Sequence, residues 1–209
     1  MTGVLIVDDH PIVRQGFRRV VEDAGVEVIF EAEDPVAGYR LFHRIRPRVS
    51  VVDLAFRGSG LAGVSLIRRM RTLEPEACIL AFSMHHDPVI ASRVLQAGAS
   101  GYVLKDSPVH EIREAFEAVR RGRSYLPHAL ALAITQHITF SNRAKTADLS
   151  AREFQILILL GEGKSYGFIA DTLSMSYRSV VNACASIRSK LGVRGQAQVL
   201  SEALKLTSV

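Results

Sequence analysis

Five short apolar runs, each followed by a stretch with helical spacing, restrict what the first 120 residues can fold into. The runs are Val4–Val7, 26–32, 49–56, Cys78–Ser83 and 101–105. Val4-Leu5-Ile6-Val7 is too apolar to face water on either side. The stretches between them place apolar residues three and four apart, as Val13, Phe17, Val20, Val21 and Ala24 do. Asp34-Pro35, Asp87-Pro88 and Ser107-Pro108 read as N-caps with proline at the first helical position. Strict strand–helix alternation predicts an α/β doubly wound, five-stranded parallel sheet covered on both faces, with ligands at the carboxyl ends of the strands.

The alternation stops at Gly122. Residues 1–122 therefore form one expected domain, and 123–147 a linker with a possible short helix over 130–138 and a polar basic patch, Ser141-Asn-Arg-Ala-Lys-Thr146. Residues 148–209 need no strand and read as an all-α, four-helix domain. Ser150-Ala-Arg-Glu153 spells a capping box ahead of Phe154, Ile156, Leu157 and Leu160. Ser165 and Ser176 cap two further helices joined through Ser174-Met175-Ser176, the length of a helix-turn-helix turn, and a fourth helix spans about 196–206.

Composition excludes several classes. With 48% apolar and 22% charged residues the chain is globular, and no apolar run approaches the roughly 20 residues of a membrane span. The first residues lack the basic and apolar regions of a signal peptide. Cys78 and Cys184 fit no metal knuckle or disulfide framework, so two buried thiols in a cytoplasmic protein are expected. A formal charge of +5 is compatible with nucleic acid without demanding it.

The strand ends carry chemistry. The first run ends at Asp8-Asp9, the third holds Asp53, the fourth ends in Ser83 and the fifth in Lys105. In a doubly wound sheet these converge on one edge. Clustered carboxylates raise one another's pKa, and a hard divalent cation such as Mg²⁺ removes that conflict. A lysine and a hydroxyl beside them suit phosphoryl oxygens.

These residues give the chain its resemblance. Val4-Leu-Ile-Val-Asp-Asp-His-Pro, Val51-Val-Asp-Leu54, Ser83 and Gly101-Tyr-Val-Leu-Lys105 resemble the receiver (flavodoxin-like) domain of two-component response regulators. Leu149-Ser-Ala-Arg-Glu153, Ile169-Ala170, Ser176-x-x-Ser179-Val180 and Ile187-Arg-Ser-Lys-Leu-Gly-Val193 resemble the LuxR-type helix-turn-helix domain, which places the whole chain with the NarL/FixJ class. The resemblance implies a phosphorylation-controlled transcription regulator and not an enzyme, beyond phosphoryl chemistry at Asp53. Asp53 would accept the phosphoryl group of a sensor histidine kinase. Asp8, Asp9, Asp53 and the backbone carbonyl of Ala55 would hold Mg²⁺. Lys105 would pair with the phosphoryl oxygens, while Ser83 and Tyr102 would act as the switch. Ser176, Tyr177, Arg178, Ser179, Val181 and Asn182 would face the major groove of double-stranded DNA, with Arg188 and Lys190 on its phosphates and the protein a homodimer once activated.

The chain also departs from that family. The loop 56–63 lacks the usual proline and is longer than expected. Val181 and Ala183 replace a lysine and a histidine, and Gly167-Phe168 a lysine-glutamate pair, which leaves few polar groups for base edges. These losses motivate an alternative, a signalling protein whose C-terminal helices bind a protein partner instead of DNA. Gly58-Ser-Gly-Leu-Ala-Gly63 spells a dinucleotide fingerprint but sits on the third strand, with no acidic residue ending the next one. His85-His86-Asp87 reads as a polar loop with a helix cap, and the arginine runs at 68–71 and 120–123 as solvated helix ends.

Overall fold

A computed structural model describes residues 3–140 and 148–207. The basic patch at 141–146 lies outside the described residues. The first part alternates β1 (Val4–Val7), α1 (Pro11–Asp23), β2 (Ile29–Ala32), α2 (Pro35–Ile45), β3 (Val49–Asp53), α3 (Ala62–Leu73), β4 (Cys78–Ser83), α4 (Pro88–Gln96), β5 (Gly101–Leu104) and α5 (Val109–Arg120). The five strands are all parallel, in the order β2-β1-β3-β4-β5. Order reverses between β1 and β3, the switch point at which open α/β sheets bind ligands.

Side-chain alternation along the strands divides the core. Val4, Ile6, Val49 and Val51 face Phe17 of α1 and Phe116 of α5, whereas Leu5, Val7 and Val52 face α2, α3 and α4. Both faces are therefore covered, which is why the strands carry so little polarity. β2 begins only at Ile29, because Val26 still donates to Val21 O at the end of α1. β3 stops at Asp53 instead of running to residue 56; its next residues turn, and Ala55 N donates to Asp53 Oδ1. Asp34 and Asp87 cap α2 and α4 as expected. Ser107 caps nothing: its N–H closes a turn onto Leu104 O, and α5 starts after Pro108 without a side-chain cap. Both cysteines are free and half-buried, so the expected burial of their thiols is incomplete.

Beyond α5, Tyr125 O accepts from Tyr102 N at 2.9 Å and covers the edge of β5. The short helix expected within the connection is longer, α6 (His128–Phe140), and packs on α4 with Leu130 buried. Four helices follow: α7 (Ala151–Gly161), α8 (Tyr166–Thr172), α9 (Tyr177–Leu191) and α10 (Gln196–Thr207). The capping box forms, with Ser150 Oγ accepting from Glu153 N and Glu153 Oε2 from Ser150 N. Glu153 and every residue from Phe154 to Leu160 are buried, because α7 is packed on two sides. One side meets α9 and α10. The other meets the first part of the chain, where Arg93 of α4 donates to Leu149 O at 3.0 Å and lies 4.2 Å from the centre of the Phe154 ring.

Candidate phosphoacceptor site and nucleic-acid interface

The sheet brings Asp8, Asp53, Ser83 and Lys105 to its carboxyl edge, with Asp9 beside them. Each strand ends within a residue of its polar group, so register fixes the site: Val7 pairs with Val52, Asp53 with Phe82, and Ser83 with Leu104. Asp8 and Asp53 are each 2% exposed. Lys105 Nζ lies 2.7 Å from Asp8 Oδ2 and 3.0 Å from Asp53 Oδ2. Asp8 Oδ2 and Asp53 Oδ2 are buried and share this one ammonium, with no further hydrogen-bond partner among the described residues. Burial pushes the Asp53 carboxyl up to about 6; Lys105 pulls it down, and Asp8 adds to the rise.

Oxygens of Asp8, Asp9 and Asp53 and a ring nitrogen of His10 lie within 4.8 Å of one another. Three carboxylates that one ammonium cannot satisfy match a small hard cation with oxygen ligands. Sequence reasoning missed three parts of this edge. His10 Nδ1 stands 2.8 Å from Asp9 Oδ1, Arg14 donates to Asp8 O, and Arg57 N donates to Asp9 Oδ2 at 2.9 Å. Adjacency to Asp9 was the available signal for His10.

The expected switch pair sits beside the carboxylates. Ser83 is fully buried and its Oγ accepts from His85 N at 3.1 Å. Tyr102 is already turned inward, fully buried, with its hydroxyl donating to His85 O at 2.7 Å. Burial pushes the Tyr102 phenol well above its usual range.

The departing loop 56–63 occupies the space between this edge and the C-terminal helices. Gly63 opens α3 so close to β3 that a Cβ there would stand 2.0 Å from Asp53 O. Gly58 and Gly60 adopt φ of 70° and 54°, and Cβ atoms there would lie 3.2 Å from Phe168 and Leu159. Gly58 and Gly60 allow close packing against α8 and α7, and Gly63 against the end of β3.

In the C-terminal helices, Leu173 closes α8, Ser174 takes φ 51°, and Ser176 caps α9 through Ser179 N. Val180, Ile187 and Leu191 bury one face of α9. Ser176, Tyr177, Arg178, Val181, Asn182 and Arg188 stand exposed on the other, while Ser179 is half-buried and its hydroxyl pairs with that of Ser176. Lys190 is engaged elsewhere, 2.7 Å from Glu153 Oε2. Ala183 is half-buried and packs on the core, so it is no part of the reading surface that its replacement of a polar residue was expected to impoverish.

Parallel sheet, acidic edge with its lysine, and capped helix pair define a receiver joined to a helix-turn-helix module. Comparison with known proteins agrees. Residues 4–117 match the response regulator receiver domain, and 147–203 match the bacterial regulatory proteins of the luxR family. The chain is 37% identical over 202 residues to the methanol utilization control regulatory protein MoxX of Paracoccus denitrificans, covering 97% of this chain and 91% of that one. It is 30% identical to the response regulator UvrY of Escherichia coli, over 98% and 94% of the two chains. RcsB of Salmonella enterica serovar Typhimurium, solved bound to the promoter rprA with the phosphomimetic BeF3⁻, superposes with a TM-score of 0.73 at 28% identity, over 100% and 99% of the chains. The chain belongs to the response regulator family, with a luxR-type DNA-binding domain, and is a DNA-binding transcription regulator. Among the described residues no helix is long and apolar enough to cross a membrane.

Proposed function

We propose that Asp53 takes a phosphoryl group from the phosphohistidine of a sensor kinase and that this controls DNA binding by α9. A carboxylate oxygen of Asp53 bonds to phosphorus as the phosphorus–nitrogen bond to the histidine breaks, leaving an acyl phosphate. Lys105, held between Asp8 and Asp53, is placed to meet the incoming phosphoryl oxygens. Asp8, Asp9, Asp53 and the Ala55 carbonyl would hold Mg²⁺, which would neutralise charge on both the carboxylates and the phosphoryl group. Burial keeps competing water from Asp53, while Ser83 and Tyr102 link its surroundings to the β4–α4 loop through His85. The chemistry is confined to this residue, so the protein is a regulator with no separate substrate.

The single observation that carries the reading is the buried Asp8–Lys105–Asp53 arrangement, which has more carboxylate than its one cation satisfies. On the output side, Arg178 and Asn182 would reach base edges and Arg188 phosphates, with two copies of the chain on inverted half-sites of duplex DNA in the cytoplasm. Intact mass after treatment with a small phosphodonor tests the assignment. Wild type should gain one phosphate only with Mg²⁺, and Asp53→Asn none; a comparable adduct on the variant refutes it.

A further inference from the structure

The exposed face of α9 carries two stripes that differ in kind. Arg178 and Asn182, four residues apart, are polar; Tyr177 and Val181, also four apart, present an aromatic ring and an apolar side chain and stand 61% and 40% exposed. Ala185, one turn further, is exposed too. Val181 borders a cavity with Leu160, Tyr166 and Leu200, but this does not account for the 40% of the residue that stays exposed, whereas its neighbour Val180 is fully buried. Helix propensity does not explain it either, because a β-branched residue is a poor choice for an exposed helix position.

The major groove offers one apolar group at its base edges, the C5-methyl of thymine; guanine, cytosine and adenine present donors and acceptors. An apolar side chain beside an asparagine on one helix face matches a thymine next to an adenine on the same groove floor. We propose that Val181 reads a thymine methyl in each half-site, with Tyr177 as its aromatic neighbour, so that α9 selects thymine by methyl contact where a lysine would accept hydrogen-bonding bases. This rests on α9 being the DNA-reading helix.

The probe is the duplex that the phosphodonor-treated full chain selects from a random-sequence pool. Thymines of that duplex are replaced one at a time by deoxyuridine, which lacks only the methyl. Affinity should fall about fourfold at one position per half-site, the effect of one buried methyl-sized group. Val181→Ala should bind the thymine duplex as weakly as wild type binds the uridine duplex and should no longer distinguish the two, whereas Asn182→Ala should keep that distinction. The valine borders a cavity of about 210 Å³ lined also by Leu160, Tyr166, Cys184 and Leu200, so its truncation enlarges existing space and leaves the core intact. Val181→Ile, which retains the apolar tip, should still distinguish the duplexes and serves if the alanine variant proves unstable. Indifference of wild type to every uridine, or an undiminished uridine penalty in Val181→Ala, overturns the inference while leaving the DNA-binding reading intact. Absence of binding to any duplex at low salt overturns the DNA-binding reading itself.

Discussion

The two functional regions are built on opposite principles. At the sheet edge, charges are sunk into an apolar frame: Asp8 and Asp53 are 2% exposed, and the Lys105 side chain 8%. Neighbours and backbone hold each in place, so removing one leaves another stranded. On α9, the residues proposed to meet DNA are exposed, and beneath them Val180, Ile187 and Leu191 are buried. The first region should therefore fail abruptly when altered, and the second by small, separable steps. Chemistry on phosphorus demands the former, and a surface that must diverge in sequence preference tolerates the latter.

The largest effect should come from Lys105→Ala. It leaves the Asp8 and Asp53 carboxylates facing each other with no cation, and breaking a buried pair in this way costs about 3–5 kcal/mol. Asp53, already raised to about 6, should rise further. Its folded pKa lies above the unfolded value, so ionising it opposes folding: the metal-free chain loses stability as pH climbs from about 4 through 6, and over a window that reaches higher pH in the variant. Added Mg²⁺ should restore part of the loss. Urea unfolding at neutral pH, with and without Mg²⁺, reads both effects; an unchanged midpoint would mean that the buried edge is no more critical than the exposed helix.

Glu153→Gln should come next, and it tests whether the output domain has a buried centre of its own. Burial raises the Glu153 carboxyl, but bonds from Lys190, Ser186 and Ser150 outweigh it and bring it down to about 2. The sign is the reverse of that for Asp53. A depressed folded pKa contributes stability that is complete above the unfolded value near 4.3 and is lost as pH falls toward 2, at most about 3 kcal/mol. Thermal melts of the two proteins should differ clearly at pH 6, about half as much at pH 3, and converge only below pH 2. A gap as large at pH 3 as at pH 6 would assign the effect to packing instead of charge.

The boundary between the regions can be broken separately. Arg93→Ala removes the bond to Leu149 O and the stacking on Phe154. A loss of about 1–2 kcal/mol is expected, read as roughly tenfold faster hydrogen exchange along α7 with the receiver core unaffected. Equal acceleration in β1 and β3 would show that the two regions unfold as one.

The same contrast explains what the sequence reveals. Asp8, Asp53, Ser83 and Lys105 are legible because each interrupts or ends a run that is otherwise almost wholly apolar. Helix caps such as Asp34 and Ser150 are legible because their hydrogen bonds are local. What escapes is decided between distant segments. The near-continuous apolar stretch from Phe154 to Leu160 announces a helix buried all round, yet only the structure shows that α4 and the loop 56–63 cover its second side. Ala183 and Lys190 were grouped with the reading surface by their place in a motif, and the helix turns them inward or toward Glu153.

The smallest effect separates reading from scaffolding within α9 itself. Arg188 and Lys190 are two residues apart, and both carry the charge that suits a DNA phosphate. Only Arg188 is without a carboxylate partner among the described ion pairs; Lys190 Nζ is 2.7 Å from the buried Glu153, whose other oxygen accepts from Ser186. A cation already paired with a carboxylate releases little when it approaches DNA. Arg188→Ala should therefore lower affinity on every sequence and reduce the slope of log affinity against log salt by about 0.9, the share of one phosphate contact. Lys190→Ala should leave the slope nearly unchanged while lowering the melting temperature, because it removes a hydrogen-bonded partner from Glu153. Binding titrations of the phosphodonor-treated chain at several salt concentrations, paired with melting curves, separate the two outcomes. Equal slope changes would place both residues on the DNA and blur the distinction between the buried frame of α9 and its exposed face.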